Sequence, residues 1–363
     1  MLLTGIAISF FITFITLPIV IRLFRSINLL DAPDRRKVHK LSQPSLGGIS
    51  IYAGVLIAMM FVIPLETLAE FKFFLAGIII SFLLGMRDDI SSLYANQKIV
   101  FQVLAAFVTV NYANISLTGL YGLFGITTVP EWLAVSMSVF IILSISNAFN
   151  LIDGIDGLAA SLTLLVSLVF GIWFLNNGDT FFATVAFIII SSMIAFLIFN
   201  WHPAKIFMGD TGSLVTGFIL GAMSLRFIDS NATAGATNFA FDHAIPVTIS
   251  LLIVPIYDTL RVMSIRMYNG RSPFFPDKRH IHHTLIRQGY NHAQATLILT
   301  GFTATTFVLV SQLTMLGLHG SITLIVFLAI SFGAVWDLRL ERYLKKEKER
   351  ASQNRSLYIS KSA

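Results

Sequence analysis

The 363-residue chain contains no cysteine, which removes disulfides, thiolate metal sites and cysteine nucleophiles from consideration. Charge is scarce too. Only 12% of residues are charged and 55% are hydrophobic, about half the charge fraction of an ordinary soluble protein. Internal repeats, low-complexity tracts and linkers are absent. The largest polar stretches, residues 22–46, 263–293 and the tail from 337, fall short of the ~40 residues a self-supporting soluble domain needs. Chemistry in this chain therefore belongs at the face of a membrane. The first segment has no basic start and carries Arg22 and Arg25 after its apolar stretch, which argues against a cleaved signal peptide.

What the chain has is long apolar runs. Eleven are counted, at residues 3–21, 47–64, 71–87, 97–112, 130–147, 158–175, 180–199, 213–228, 244–262, 294–313 and 319–336, against the ~20 residues that span a bilayer. The expectation is an all-α polytopic membrane bundle of about 11 transmembrane helices. Short loops rich in Lys and Arg stay cytoplasmic. With the N-terminus outside, the inner loops and tail hold 23 of the 25 basic residues, leaving Lys72 and Arg226. That places the C-terminus in the cytoplasm and makes the net charge of +6 a matter of topology and anionic-lipid contact, with no nucleic-acid surface. Residues 1–336 then form one integral-membrane domain. The loops on its cytoplasmic face that could hold a site are residues 22–46, 86–97, 147–157, 200–213 and 263–293, and residues 337–363 are a basic cytoplasmic tail continuing the last helix.

The acids are distributed unevenly. Six lie outside on this topology, singly, at Glu66, Glu70, Glu131, Asp179, Asp229 and Asp242. The inner ones cluster. Asp88 and Asp89 end the third span, and Asn147, Asn150, Asp153 and Asp156 end the fifth at steps of three, near one helical face. Asn200 ends the seventh span, and Asp210 follows in NWHPAKIFMGDTGS. A single such Asp reads equally as a helix-end residue in water. Five Asp from three helix ends on one leaflet repel unless cations neutralise them. Hard oxygen ligands without sulfur suit Mg²⁺ or Mn²⁺, and Mg²⁺ shares carboxylates with substrate phosphates. The start of the eighth span at Asp210 and Thr211 would favour anions, although Asp there is also an ordinary helix cap.

Opposite charge comes from RMYNGRSPFFPDKRHIHHTLIRQGY, where Arg271, Lys278, Arg279, His280, His282 and His283 lie close together. The density suits a diphosphate. A histidine zinc site competes with that reading but lacks the i, i+4 pair, and a loop that only sets topology is the plainest option. Arg35, Arg36, Lys37, His39 and Lys40 in the first loop allow the same two readings. Asp258 is expected to pair with Arg261 three residues on.

In order, RKVHK…PSLGG, RDD, NAFNLIDGIDG, FMGDTGS and SPFFPDKRHIHH span residues 31–283. Together they resemble the polyprenyl-phosphate N-acetylhexosamine-1-phosphate transferases, a superfamily that includes the phospho-MurNAc-pentapeptide translocases. The HIHH form is similar to the undecaprenyl-phosphate GlcNAc-1-phosphate branch. The resemblance implies Mg²⁺-dependent transfer of a sugar 1-phosphate from a UDP-N-acetylhexosamine to undecaprenyl phosphate at the cytoplasmic face of a bacterial inner membrane. It further implies Asp210 as metal ligand and Asp88, Asp89 and Asp153 as catalytic acids. Asn147, Asn150, Asp156, Asn200 and Phe207 would line the nucleotide-sugar pocket, with Asp156 and Phe207 near the uracil. His282 and His283 would contact sugar or diphosphate beside Arg271, Lys278, Arg279 and His280, and Lys40 would sit where the translocases use a lysine. Membrane lipids are partners, nucleic acid is not, and a homodimer stays open. The alternative from another class is a secondary transporter coupling ions through the acids, which would call for repeats and midplane acids.

Overall fold

The computed structural model describes residues 1–26, 43–233, 239–272 and 279–361. Every apolar run is helical. In chain order the helices are α1 (Leu2–Ser26), α2 (Gly47–Val62), α3 (Leu65–Glu70), α4 (Lys72–Ile90), α5 (Ala95–Tyr112), α6 (Glu131–Ile152), α7 (Leu158–Asn176), α8 (Thr180–Asn200), α9 (Gly209–Thr233), α10 (Ala244–Leu251), α11 (Ile253–Tyr268), α12 (Ile281–Arg287), α13 (His292–Gln312) and α14 (Gly317–Lys361). Among the described residues seven helices are long and apolar enough to cross a membrane, or eight if a bent pair counts as one span. This is a polytopic helical membrane protein.

Local chemistry sets the boundaries. Asp179 accepts the Phe182 N–H at 3.1 Å and caps α8, and Asn291 with Gln294 forms a reciprocal capping box at α13. The run at 244–262 is expected as one helix, but it bends by 73° between α10 and α11. Pro255 lies four residues after Leu251, so its ring opposes the carbonyl at which α10 stops. The all-α expectation also needs a correction. Strands β1 (Gly119–Leu123) and β2 (Ile126–Thr128) form an antiparallel hairpin between α5 and α6.

The bundle is organised around α9, which packs on α4, α6 and α2 and is buried almost along its whole length. Inside a membrane, apolar side chains gain little from leaving lipid, so small residues and hydroxyls hold helices together. Thr13 Oγ1 meets Ser192 Oγ at 2.8 Å, and Tyr52 OH meets Thr216 Oγ1 at 2.7 Å. Ser146 Oγ donates to Leu214 O at 2.8 Å. Away from the acidic clusters, the hairpin is tied to α9 by Tyr121 OH donating to Asp229 at 2.7 Å. Arg226, left over by the charge pattern, pairs with Asp179 at 2.8 Å.

Candidate active site

The N-terminus of α9 is where the acids meet. Asp89, at the end of α4, accepts the backbone N–H of Asp210 at 2.9 Å and of Thr211 at 2.8 Å, and the Thr211 hydroxyl at 2.5 Å. It is therefore the cap of α9, satisfying donors that a helix leaves unpaired. Gly209 opens the helix with φ 73, and a Cβ there would lie 1.7 Å from the Ser45 carbonyl oxygen. Only glycine fits that approach.

Asp88 is buried, and Lys98 from the first turn of α5 joins it to Asp210, with Nζ 2.9 Å from Asp210 Oδ2 and in contact with Asp88 Oδ2. Asp88 also accepts the Leu93 N–H at 2.7 Å. Asp153, just past α6, lies by the Gly209 backbone at the start of α9. Burial, and then the negative charges of Asp210 and Asp89, push its carboxyl up to about 8. Asp88, Asp153 and Asp210 thus converge from three helix ends. The donor set fits a hard divalent cation: carboxylate oxygens in negative excess, with a single lysine already drawn between two of them.

Asp156 departs from the expected shared face. The α6 helix stops at Ile152, so Asp156 lies beyond it and turns to different partners. His202 Nδ1 is 2.7 Å from Oδ2, His292 Nδ1 is 3.0 Å from Oδ1, and the Ala204 N–H donates at 3.1 Å. Burial opposes ionisation of Asp156, but His292, whose Nδ1 also accepts the Asp156 N–H at 3.2 Å, and His202 prevail and hold its carboxyl down at about 2. Asp156, His202 and His292 place one potential ligand atom each within 4.8 Å of one another, the one such metal-ligating group among the described residues.

Other expected residues serve the walls. Asn200 Oδ1 accepts the Gly157 N–H at 2.9 Å, and its Nδ2 donates to Ile206 O at 2.8 Å, joining the DGIDG turn to the segment before Gly209. Asn147 exchanges amide bonds with Gln102 on α5. Asn150, one turn before Asp153, is half-buried. The backbone of Phe207 pairs with Pro44 and Gly47.

The histidine segment reaches the same turn. A Cβ on Gly154 would lie 2.5 Å from His282 Nε2, so the glycine next to Asp153 is what lets the buried ring approach. Burial, and then His283, His280 and His292, keep His282 well below the usual histidine range. It is neutral, which corrects its inclusion in a cationic cluster. His283 lies 4.3 Å from it, ring to ring. His280 stands just before α12, with its Nδ1 2.8 Å from Asp258 Oδ2. Asp258 also accepts the Ile281 N–H, while Arg261 pairs with Asp337. The expected Asp258–Arg261 pairing is thus replaced by one that anchors the histidine segment. Arg271 follows α11 with its N–H on Arg266 O, and the Arg279 carbonyl accepts from Arg261. Both are exposed. Lys40 and Lys278, with Arg35, Arg36, Lys37 and His39, lie outside the described residues.

Sequence reasoning missed Lys98, His202 and His292. Lys98 carried one available signal, as the first lysine after Asp88, at the start of the next helix.

A helical membrane bundle with its acids, histidines and a lysine gathered at one end defines a polytopic membrane protein with a polar site at one face. Residues 71–228 match the model of glycosyl transferase family 4. The chain is 34% identical over 339 residues to a probable undecaprenyl-phosphate N-acetylglucosaminyl 1-phosphate transferase of Bacillus subtilis, covering 90% of each. It is 33% identical to a decaprenyl-phosphate N-acetylglucosaminephosphotransferase of Mycolicibacterium smegmatis, over 74% of this chain and 71% of that one. To an undecaprenyl-phosphate alpha-N-acetylglucosaminyl 1-phosphate transferase of Yersinia pestis it is 29% identical, over 91% of each. The chain belongs to glycosyl transferase family 4.

Proposed function

We propose that this protein transfers GlcNAc-1-phosphate from UDP-GlcNAc to undecaprenyl phosphate, releasing UMP and forming the first lipid-linked intermediate of a cell-envelope polysaccharide. The convergence of Asp88, Asp153 and Asp210 beside Lys98 is the observation that carries this reading, together with the relatives' names. Orientation follows the charge pattern: eleven crossings, N-terminus outside, site facing the cytoplasm, residues 1–336 as the catalytic unit and 337–363 as its tail.

Asp210, with Asp88 beside it, would hold Mg²⁺, which when bound draws negative charge off the diphosphate oxygens. An oxygen of the lipid phosphate attacks the phosphorus that carries the sugar, and the bond to the UMP oxygen breaks. A phosphate monoester has its second pKa near 6, so at neutral pH the nucleophile is already mostly dianionic and needs little help from a base. Positioning and charge stabilisation then do most of the work. Lys98 supplies fixed positive charge at the acids. Neutral His282, next to Asp153, offers an uncharged hydrogen-bonding ring, and His283 stands beside it.

The test is UMP release from UDP-GlcNAc by membranes supplied with undecaprenyl phosphate and Mg²⁺. Wild type releases UMP, Asp210→Asn releases none at saturating Mg²⁺, and Asp88→Asn keeps measurable residual activity. No UMP from wild type, as a transporter would give, refutes the transferase reading. Equal, complete loss in both variants refutes the division of labour.

A further inference from the structure

A cavity of about 470 Å³ opens between the turn after α12 and the polar extension of α14. Arg339, Arg342 and Lys346 form one wall, and Gln288, Tyr290 and Gln294 stand opposite. Steps of three and four return to one side of a helix, so the three cations make a stripe facing the cavity. The acids nearest to them are not paired with them. Asp337 is engaged with Arg261, Glu347 accepts a 3.5 Å bond from Tyr343, and Glu341 projects from the opposite side of α14. Among the described residues Arg342 and Lys346 have no carboxylate partner. Like charges lining one concavity repel until an anion sits among them.

The cavity is built on a firm base. Gln288 Nε2 donates to Trp336 O at 3.0 Å, and Tyr290 meets the Trp336 ring edge-on at 5.5 Å. Arg339 lies over the other part of that indole, 5.1 Å from the ring centroid. The cations also sit at a boundary. α14 runs unbroken out of an apolar span, and exposed Leu338 and Leu344 stand at the level of the charges. A soluble anion has no use for apolar neighbours, whereas a phospholipid brings a phosphate and acyl chains together.

We propose that this cavity binds the phosphodiester headgroup of an anionic phospholipid in the leaflet on the active-site side. A merely solvated basic helix would attract anionic lipid from every side; the cavity takes it from one. The full-length protein in detergent is titrated with short-chain phosphatidylglycerol, and bound lipid is counted by native mass spectrometry. Phosphatidylcholine of equal chain length and inorganic phosphate are the other arms. Phosphatidylglycerol is expected to bind in preference to both. Arg342→Gln and Lys346→Gln should each weaken it about fivefold, the scale of one basic residue near an anionic surface. Lys345→Gln, one residue along but off the stripe, should leave it unchanged. An equal loss in Lys345→Gln, equal retention of phosphatidylcholine, or phosphate binding as tight as the lipid's would overturn the proposal. All three residues are exposed, so the variants test binding and not folding.

Discussion

Asp89 and Asp88 are adjacent in sequence and do different things, because a helix turns its neighbours about 100° apart. One carboxylate caps α9, and the other meets Lys98. Asp156 shows how partners decide a carboxylate's state. Its folded-state pKa of about 2 lies below the ordinary carboxylate value, so its contribution to stability is complete above pH ~4 and disappears as pH falls towards 2. The size is on the order of 2 kcal/mol. Denaturant unfolding in detergent at stepped pH should show wild type losing stability more steeply than Asp156→Asn between pH 4 and 3. Parallel profiles would show that the histidines do not hold the carboxyl down. The clusters were legible as residues, since five Asp at three span ends stood out against a chain with little charge. Lys98, His202 and His292 were not, because each is a single residue with no pattern around it until folding puts a carboxylate against it.

At the scale of elements, the site depends on close approach between segments that share no sequence proximity. The turn after α6 and the first turn of α12 meet at Gly154 and His282, and Asp258 on α11 fixes the start of α12. Gly154→Ala inserts a methyl into space the His282 ring fills, and the buried ring has to shift. We expect a loss of stability of about 1–3 kcal/mol, typical of overpacking, and a fall of at least about tenfold in kcat/KM, since small misplacements are costly to positioned groups. Pairing Gly154→Ala with His282→Ala separates the two effects: if the collision is the cause, the double variant regains stability over Gly154→Ala alone but not activity. Sequence periodicity finds helices well because burial and length leave their mark on composition. It did not find the 73° bend, although Pro255 was there to mark it, because apolar character runs straight through the break.

At the scale of the molecule, the absence of cysteine makes topology directly measurable. Single cysteines at Glu66, Asp242, Lys205 and Lys345 can be probed in intact cells with a membrane-impermeant maleimide. The first two should react from outside and the last two only after permeabilisation. Labelling of Lys205→Cys in intact cells would reverse the orientation of the site. The hairpin with Asp229 and the pair Arg226–Asp179 gather at the end that the charge pattern assigns to the outside, so the leftover arginine has a structural use there.

By itself the sequence determined that this chain lives in a membrane, which stretches of it are helical, and which acids cluster near one face. Those properties are local, written in hydropathy, capping residues and spacing. Only the tertiary structure decided which carboxylate caps a helix, which shares a lysine and which is held by two histidines. A side chain's electrostatic surroundings come from segments that can be more than a hundred residues away, such as Asp210 from Lys98 or His292 from Asp156, and no local pattern encodes that encounter.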